Sequence, residues 1–578
     1  MSTFISEIIL KSGTWQAFER VVSRLLAHEG FEGIRLVGQS GDRGADVLAH
    51  RAGKRWLFQM KHWKNRVGVD VADQTLEAMR IYRAQVPVIV ALNGFDERLK
   101  EHQRTLMSRG IPLQLWDTKV LITRAEKLPE MPVLNRNPRE YQEEAIRSAI
   151  QTFNEKNKKA LIVMATGLGK TFVACESVRR INAISPLKFL VIAHTNELVY
   201  QIEKAFWPFL SKEQETTVWN GYEQPGEERL EKSNAVFACL NTVADYVQRG
   251  KELPFFDLII IDECHHVGGQ MYNAVLQETL AGTECGPFLL GLTATPWRPD
   301  DVDLSEYFGE PLVSVDIVTG LRNGFLSDVD YRMYTDNINW EALGELKGRN
   351  FSPRHINRTL FITEWDDAVV FELKRVWQEQ SKPRAIVFCG TIDHAATMRD
   401  RINSLGFCNA SAIYSQTTAG RLMDPAERNR ILCDFQDGVI DVLCAVDILN
   451  EGVDVPDVNI IVFQRVTHSR RIFIQQLGRG LRLSKNKEKV IVLDFVSDIR
   501  RFAAGINLKD GLAEDGPAPG NPVRISLPHK VTFRKAGGED PQTESFLRQW
   551  LEDVAAVEGA GEDTSILKFP PELRGGRK

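Results

Sequence analysis

The stretch ALIVMATGLGKT, at residues 160–171, decides the fold of this chain. Its apolar first half predicts a buried strand, and its second half predicts a tight turn that opens a helix. Gly167 and Gly169 allow backbone N–H groups to approach phosphates, while Lys170 adds positive charge and Thr171 adds a hydroxyl for Mg²⁺. Met164 stands where the general phosphate-turn pattern has its first glycine. The stretch predicts an α/β domain that binds a nucleotide. The expected contacts are Thr166, Gly167, Leu168, Gly169, Lys170 and Thr171.

Two acidic residues follow a later apolar run of the same kind. Leu258–Ile261 predicts a strand that delivers Asp262 and Glu263 at its carboxyl end, where the ligands of open α/β sheets gather. We expect Asp262 to hold Mg²⁺ and Glu263 to orient and deprotonate an attacking water. Nucleotide hydrolysis requires both roles beside the Lys170 turn, so the pair predicts a hydrolase.

Apolar runs of this type recur along the chain and alternate with helical segments. Such runs suit the strands of a parallel sheet that is covered on both faces. Two sets of runs predict two similar α/β domains. The first set is Ala160–Met164, Phe189–Ala193, Ala235–Leu240, Leu258–Ile261 and Phe288–Leu292, and the second is Ala385–Phe388, Ala410–Tyr414, Val442–Ala445, Ile460–Phe463 and Val490–Leu493.

A pair of arginines lies near the end of the second set. Arg479 and Arg482 belong to the segment QQLGRGLR, residues 475–482, and their spacing places them on one face of a helix. The transition state of phosphoryl transfer spreads negative charge over the terminal oxygens, and an arginine supplied to it accelerates the reaction by about 10³ to 10⁵. We expect these two guanidinium groups to act on that charge from across a cleft.

In this order, and with TATP at residues 293–296, the segments resemble the superfamily 2 helicases and translocases over roughly two thirds of the chain. ATGLGKT is the usual helicase form of the phosphate turn, and Gln475 completes the family pattern Q-x-x-G-R-x-x-R. The resemblance implies ATP as the nucleotide, because Arg139, Tyr141 and Gln142 match the family's adenine-reading element. Asp454 falls in the motif that precedes the arginines and is expected in the nucleotide site.

The resemblance also implies contacts with a nucleic-acid backbone. Small polar groups follow apolar strands where the family grips that backbone without reading bases. These groups are His194, Thr195, Asn196, Glu197, Asn241 and Thr242. The form DECHH, residues 262–266, with LTATPWRP, residues 292–299, is closer to restriction-enzyme motors and DNA-repair translocases than to RNA helicases. His265 and His266 are expected to contact the second domain and not to bind a metal.

The first 125 residues form a separate and basic unit in this prediction. A helix over Thr14–His28 is followed by predicted strands at Gly33–Val37, Ala45–Ala49 and Arg55–Met60, a helix over Val71–Ala84 and a strand at Pro87–Leu92. Residues 1–125 hold 19 Lys and Arg against 13 Asp and Glu, whereas the whole chain has a formal net charge of −5. The excess is densest at Arg51, Lys54, Arg55, Lys61, Lys64 and Arg66, interleaved with Trp56 and Trp63. This pattern predicts a surface that neutralises phosphates.

Gly41–Asp46, followed by FQMKH at residues 58–62, resembles the PD-(D/E)xK nucleases and is most similar to the Mrr-type restriction endonuclease domain. The resemblance implies that Asp46 binds a divalent metal, that Gln59 adds a polar contact and that Lys61 stabilises charge or orients water. It also implies that Glu19, on the Thr14–His28 helix, is the additional acidic residue of such domains.

Two alternatives stay open for this unit. Asp42 is a rival metal ligand, although it stands earlier in the turn than Asp46. Gln59 replaces the usual acid and removes one negative charge, so the domain could also be a catalytically silent DNA-binding module.

Together these patterns predict an α/β chain with an N-terminal restriction-endonuclease-like domain followed by two RecA-like parallel-sheet domains. The predicted division is 1–125 nuclease domain, 126–138 linker, 139–326 ATP-binding domain, 327–381 connecting region, 382–508 helicase C-terminal domain and 509–578 tail with a short amphipathic helix. We expect an ATP- and Mg²⁺-dependent DNA helicase or translocase coupled to a DNA endonuclease that restricts foreign DNA, as in phage defence. The alternatives are a repair or remodelling translocase whose first domain only tethers DNA, and an RNA-dependent helicase.

Composition agrees with a cytoplasmic enzyme. No run of 18 apolar residues is present, and Met1–Leu10 lacks the pattern of a secretory signal. The eight cysteines include no C-x-x-C pair, so neither a zinc site nor a disulfide framework is indicated. The expected partners are DNA, in double-stranded form, and proteins of a defence system, without a membrane.

Overall fold

The computed structural model describes residues 4–37, 44–134, 136–155, 159–165, 167–264, 275, 286–294, 304–315, 319–320, 323–333, 350–351, 363–414, 423–446, 458–464, 489–495, 529–533 and 567–568. Within these ranges the chain forms one five-stranded sheet, two seven-stranded sheets and one two-stranded pairing. The amphipathic helix expected in the tail, at residues 546–554, lies outside the described residues.

The N-terminal domain is a mixed five-stranded sheet with helices packed on it. Its helices are α1 Glu7–Ser12, α2 Trp15–His28, α3 Val69–Ile81, α4 Glu97–Ser108 and α5 Thr118–Glu126, and its strands are β1 Glu32–Leu36, β2 Val47–Arg51, β3 Lys54–Lys61, β4 Val86–Ala91 and β5 Gln114–Asp117. The strands lie in chain order, antiparallel from β1 to β3 and parallel from β3 to β5. The predicted helix and strands of this unit are therefore confirmed, within a few residues at each end.

Helix α2 forms where a capping residue and a helical period of apolar residues predict it. Thr14 caps the helix by accepting a hydrogen bond from the Ala17 backbone N–H at 3.2 Å. Phe18, Val22 and Leu25, at helical spacing, are all buried in the core of the domain. The helix thus lies with one apolar face against the sheet.

The first α/β domain is a fully parallel seven-stranded sheet in the order β12-β6-β11-β10-β7-β9-β8. Its strands are β6 Lys159–Met164, β7 Phe189–Ala193, β8 Thr216–Trp219, β9 Ala235–Cys239, β10 Leu258–Asp262, β11 Phe288–Thr293 and β12 Pro311–Val315. Its helices are α6 Glu140–Asn154, α7 Lys170–Ile184, α8 Asn196–Phe206, α9 Glu227–Lys232, α10 Leu240–Gln248 and α11 Ser305–Phe308, with a 3-10 turn at Trp207–Phe209.

The second α/β domain carries another seven-stranded sheet, in the order β16-β17-β15-β18-β19-β13-β20. Its strands are β13 Asp328–Met333, β15 Ala385–Cys389, β16 Ala410–Tyr414, β17 Val442–Val446, β18 Ile460–Gln464, β19 Lys489–Asp494 and β20 His529–Phe533. Its helices are α12 Thr363–Trp377, α13 Ile392–Ser404 and α14 Pro425–Gln436, and β14 Asn350–Phe351 pairs with β21 Leu567–Lys568. The two RecA-like parallel sheets expected from the sequence are present.

Two strands of this sheet come from segments expected to lie outside it. Strand β13 falls in the predicted connecting region and pairs in parallel with β19. Strand β20 falls in the predicted tail and pairs antiparallel with β13 at the sheet edge. Both strands are short, and the sequence around β20 is rich in Gly, Pro and acidic residues. Such a composition does not predict a strand.

Candidate functional site

The phosphate turn joins β6 to α7 in a shape that only glycine permits easily. Gly167 has φ 93° and Gly169 has φ 88°, both in the left-handed region. A Cβ on Gly169 would also lie 2.7 Å from Gln142 Nε2. The turn ends at Lys170, the first residue of α7, and Thr171 follows in the same helical turn. The backbone N–H groups at this helix start are the expected binding site for nucleotide phosphates.

Helix α6 supports the phosphate turn from behind. Gln142 Nε2 donates to the Leu168 carbonyl at 2.7 Å, and Tyr141 Oη donates to the same carbonyl at 3.0 Å. Gln142 Oε1 accepts from the Arg139 backbone N–H at 3.0 Å, and Arg139 Nη1 donates to the Phe325 carbonyl at 3.2 Å. Since Gln142 is fully buried, its side chain holds the shape of the turn. The role of these residues toward adenine stays a prediction.

The acidic end of β10 faces the phosphate turn. Lys170 Nζ lies 3.5 Å from Glu263 Oε1, so the cation and the expected general base are neighbours. Glu263 has φ 48°, an uncommon conformation for a non-glycine residue, which turns the chain sharply at the strand end. Burial, together with the neighbouring Glu263 carboxylate, raises the pKa of Asp262 to about 6, while Lys170 opposes the shift. The structure therefore brings together Lys170, Asp262 and Glu263 as the sequence predicted.

Asp262 also satisfies a structural test for Mg²⁺. Its Oδ1 atom is buried and has no hydrogen-bond partner within the ranges that the structure describes. A buried carboxylate oxygen without a partner is costly, and a divalent cation held jointly with the Thr171 hydroxyl would satisfy it. These two oxygen donors fit the preference of Mg²⁺ for hard ligands.

Several predicted residues of the motor site lie outside the described residues. They are Thr166, His265, His266, Thr295, Asp454, Gln475, Arg479 and Arg482. The expected roles of these residues stay predictions.

The predicted backbone-gripping residues lie just after β7 and β9, at the starts of α8 and α10. Thr195 caps α8 by accepting from the Leu198 backbone N–H at 3.3 Å, and Asn196 Oδ1 accepts from the Gly221 N–H at 3.3 Å. Asn241 is exposed in the first turn of α10. Thr195 and Asn196 therefore shape these loops, and their contact with nucleic acid stays a prediction.

In the N-terminal domain, the predicted nuclease residues meet across β2 and β3. Asp46, just before β2, donates its backbone N–H to the Phe58 carbonyl at 2.9 Å, and its Oδ2 accepts from the Met60 N–H. One end of the Gln59 amide contacts Thr75 Oγ1 on α3, and the other end lies 3.1 Å from Lys61 Nζ. Strand pairing thus places Asp46, Gln59 and Lys61 side by side.

The remaining nuclease candidates are placed less closely. Glu19 is buried on α2 next to Phe18, whose ring lies 5.4 Å from the ring of His62, the residue after Lys61. Helix α2 therefore passes beside the end of β3. Asp42, the rival ligand, lies outside the described residues.

The donors available to a metal are oxygens, as Mg²⁺ and Mn²⁺ prefer. Asp46 contributes a carboxylate, and Gln59 can contribute an amide oxygen. Within the described residues, no group of three or more His, Cys, Asp or Glu side chains is arranged to hold a metal. A metal at this site would thus depend on Asp46 and on a neutral oxygen from Gln59.

The structure corrects part of the predicted phosphate-binding surface. Arg55 is 5% exposed and is engaged by acidic residues of the second α/β domain, so it cannot contact DNA in this arrangement. Arg51 lies over the Phe31 ring at 4.8 Å and faces Glu29. Lys64 and Arg66 are exposed just beyond β3, next to the nuclease residues, and Trp63 is 44% exposed there. Lys54, at the start of β3, is also exposed, and the loop after Lys61 is the part of the predicted surface that lies beside the nuclease residues.

A buried ion-pair network joins the N-terminal domain to the first α/β domain. Arg20, on α2, pairs with Glu203 at 2.6 Å and with Glu223 at 2.6 Å and 3.0 Å. All three side chains are almost completely buried. Arg24 donates to the Ser211 and Gln214 carbonyls at 2.8 Å each.

Trp207 and His28 extend the contact between the N-terminal domain and the first α/β domain. His28 Nε2 lies 3.0 Å from the Trp207 carbonyl, and the Trp207 side chain belongs to the core of the N-terminal domain. Burial, with a smaller effect of Arg24, lowers the pKa of His28 to about 3. His28 is therefore neutral at physiological pH and can donate its Nε2 proton to that carbonyl.

A second contact joins the N-terminal domain to α14 of the second α/β domain. Arg55 Nε donates to Asp437 Oδ2 at 2.9 Å, and Arg55 Nη1 lies 3.5 Å from Asp434 Oδ1. His50 Nε2 lies 3.2 Å from the same Asp437 oxygen. Burial alone would raise the pKa of Asp437, but His50 and Arg55 outweigh it and lower that pKa. No local sequence pattern indicates either contact, because the paired residues are far apart in the chain.

Comparison with known proteins agrees with this architecture. Residues 10–124 match the family model described as restriction endonuclease, of the Mrr catalytic type. Residues 135–298 match the res subunit of type III restriction enzymes, and residues 367–484 match the helicase conserved C-terminal domain. The chain thus combines a region that matches Mrr-type restriction endonucleases with two regions that match restriction-enzyme and helicase motors. The first and second α/β domains are thus its motor domains.

Curated relatives support the same assignment. The chain is 25% identical over 79% of its length to the type I restriction enzyme EcoAI endonuclease subunit of Escherichia coli, covering 60% of that protein. It is 27% identical over 64% of its length to the putative mitochondrial ATP-dependent helicase irc3 of Schizosaccharomyces pombe, covering 59% of it. It is 27% identical over 61% of its length to the DNA 3'-5' translocase XPB2 of Sulfurisphaera tokodaii, covering 80% of it. The chain therefore spans about six-tenths of the first two relatives.

Proposed function

We propose that this protein uses ATP hydrolysis to move along double-stranded DNA and cleaves that DNA with its N-terminal domain. One observation carries the proposal: the domain that holds Asp46, Gln59 and Lys61 is bonded to both motor domains, through Arg20 on one side and Arg55 on the other. A nuclease held in this way stays with the motor wherever the motor moves. Coupling of movement to cleavage then needs no additional connecting segment.

In the motor, each residue has a separate task. The phosphate turn and Lys170 bind the nucleotide phosphates, and Glu263 takes a proton from the attacking water. Arg479 and Arg482 act on the charge of the transition state from the second motor domain. Thr171 and Asp262 would hold Mg²⁺, which would supply positive charge to the nucleotide phosphates.

In the nuclease domain, Asp46 and Gln59 supply oxygens to a divalent metal, and Lys61 stabilises charge at the phosphodiester or orients the attacking water. Glu19 contributes a further acidic group from α2. Phosphates flanking the cleaved bond contact the exposed basic loop at Lys64 and Arg66. Because these contacts are with the backbone, they hold DNA without reading its sequence.

The similarity to restriction-enzyme subunits supports a biological setting for this proposal. A fused motor and restriction endonuclease fits the restriction of foreign DNA in the cytoplasm, together with other proteins of a defence system. The proposed domain boundaries lie at residues 125, 138, 326, 381 and 508, and strands β13 and β20, from the connecting region and the tail, add to the sheet of the second motor domain. Among the described helices, none combines the length and apolar composition that crossing a membrane requires.

Plasmid cleavage by the full-length protein tests the proposal. Supercoiled plasmid is incubated with Mg²⁺ or Mn²⁺, with and without ATP, and ATP turnover is measured with DNA or with RNA. We expect metal-dependent cleavage and stimulation of ATP turnover by DNA. ATP turnover without any cleavage in either metal would favour the tethering translocase, and stimulation by RNA alone would favour the RNA-dependent helicase.

A further inference from the structure

The orientation of the Gln59 amide is set by residues of α3 that no sequence motif marks. Gln59 is 1% exposed, and Thr75 is fully buried beside it. An amide has a donating end and an accepting end, and only the oxygen can bind a metal. The end that faces the metal position therefore decides whether Gln59 can replace the usual acid of this motif.

The inner end of the amide meets two groups on α3, Thr75 Oγ1 and the Val71 carbonyl. Thr75 has a single hydroxyl proton, which its Oγ1 can donate to the Val71 carbonyl at 2.7 Å or to a Gln59 oxygen. The Val71 carbonyl also lies 3.1 Å from the inner end of the amide, so only the first choice avoids two acceptors facing each other. With that proton engaged, Oγ1 can only accept, and a carbonyl accepts in every case. Both partners thus require a donor, so the inner end of Gln59 is its nitrogen, which donates to Thr75 Oγ1 and to Val71 O at 3.1 Å.

The contacts at the outer end of the amide independently support the same orientation of Gln59. The outer end lies 3.1 Å from Lys61 Nζ, and an ammonium group can only donate. It also lies 3.3 Å from the amide of Gln74, an exposed side chain that can turn its nitrogen toward this end. A Cβ built on Gly44 would come within 3.0 Å of this end, which places it beside the segment that leads to Asp46. The outer atom is therefore the oxygen, and it sits between Lys61 and the backbone that carries Asp46.

We propose that Thr75, with the Val71 carbonyl, is a positioning residue that holds the Gln59 oxygen toward the metal and Lys61. This inference rests on the proposed metal-dependent nuclease. It explains why a neutral amide stands here: a glutamate would place a second oxygen against the Val71 carbonyl, and two acceptors at that distance repel each other in a buried site. The surroundings therefore require an amide at position 59, and an acid at this position would weaken metal binding.

Mn²⁺ binding to the full-length protein, measured by electron paramagnetic resonance without nucleotide or DNA, tests the inference. The signal lost in Asp46→Ala defines binding at the nuclease site. Thr75→Val keeps the side-chain shape but removes the hydroxyl, and we expect it to weaken this binding about 10- to 100-fold, as loss of an outer partner of a metal ligand does. Thr75→Ser retains the hydroxyl and should bind Mn²⁺ close to the wild-type affinity. Gln59→Glu should weaken binding about 10-fold or more, although it adds a negative charge.

The outcomes separate this inference from the proposed function. The inference would be overturned if Asp46-dependent Mn²⁺ binding were unchanged in Thr75→Val, or if it were stronger in Gln59→Glu than in wild type. Either result would leave the nuclease proposal intact. Absence of Asp46-dependent binding in the wild-type protein would overturn both. Thermal unfolding midpoints without metal show whether each variant is folded, and Thr75→Ser provides the matched comparison if Thr75→Val is destabilised.

Discussion

Replacing Arg20 by alanine should loosen the contact between the nuclease domain and the first motor domain severely. Arg20 is 5% exposed, and its side chain forms ion pairs with Glu203 and Glu223, which are equally buried. Removing one partner of a buried ion pair leaves an uncompensated charge and costs about 3 to 5 kcal/mol. Here two carboxylates would lose their cation, so the upper half of that range is expected.

Hydrogen exchange of α2 and α8 measures this effect directly, because it reports the free energy of local opening. A loss of about 4 to 5 kcal/mol corresponds to exchange that is faster by roughly 10³ to 10⁴, up to the limit set by complete opening of the contact. The matched control is Lys11→Ala, which breaks an exposed ion pair with Glu7 in the same domain and should change exchange in these helices by less than about tenfold.

A second variant separates the unpaired charges from lost packing. Adding Glu203→Gln and Glu223→Gln to Arg20→Ala removes both buried charges and should restore part of the protection. Exchange in Arg20→Ala that matches Lys11→Ala would refute the argument that this network holds the domains together.

Three further predictions concern the motor and its contact with the nuclease domain. Lys170→Ala should weaken ATP binding, whereas Glu263→Gln should bind ATP and fail to hydrolyse it. Measured nucleotide affinity and ATP turnover distinguish the two variants. Wild-type turnover by Glu263→Gln would show that the general base is misassigned. Arg479→Ala or Arg482→Ala should leave ATP affinity nearly unchanged but lower hydrolysis by about 10³ or more, and unchanged DNA-stimulated rates in both variants would exclude the arginine-finger role. The pKa of His28 falls from its usual value of 6.5 to about 3 on folding, so the folded state favours the neutral form. The contribution of His28 to the free energy of unfolding is therefore complete above pH 6.5 and is lost as the pH falls toward 3. Urea midpoints measured at pH 7.5, 6.0 and 5.0 should fall less in His28→Gln than in wild type, and equal pH dependence would contradict a buried neutral histidine.

Local patterns predict the sheets and the positions of the candidate site residues within them. The Thr14 cap and the helical period of Phe18, Val22 and Leu25 determine α2 from neighbouring residues alone. Likewise, the apolar run before Asp262 predicts both a buried parallel strand and the position of the acid at its end.

Contacts between distant segments escaped prediction. Arg20 meets Glu203 across 183 residues of sequence, and Arg55 meets Asp437 across 382, so no local period relates them. The predicted assignment of Arg55 to DNA was wrong because charge pattern does not distinguish an exposed arginine from one paired inside an interface. Thr75 was missed for a related reason: its effect depends on which hydrogen-bond partner uses its only proton.

The most direct test of the account is cleavage of supercoiled and linear DNA, with and without ATP, by the wild-type protein and by Asp46→Ala, Lys61→Ala and Glu263→Gln. Asp46→Ala and Lys61→Ala should each lose metal-dependent cleavage in both Mg²⁺ and Mn²⁺ while retaining DNA-stimulated ATP turnover, because the motor has its own metal site at Thr171 and Asp262. Glu263→Gln should lose the ATP turnover and any ATP-dependent part of cleavage. Nicking by Asp46→Ala at the wild-type rate would contradict the proposed nuclease site, with Asp42 then the first alternative ligand to replace.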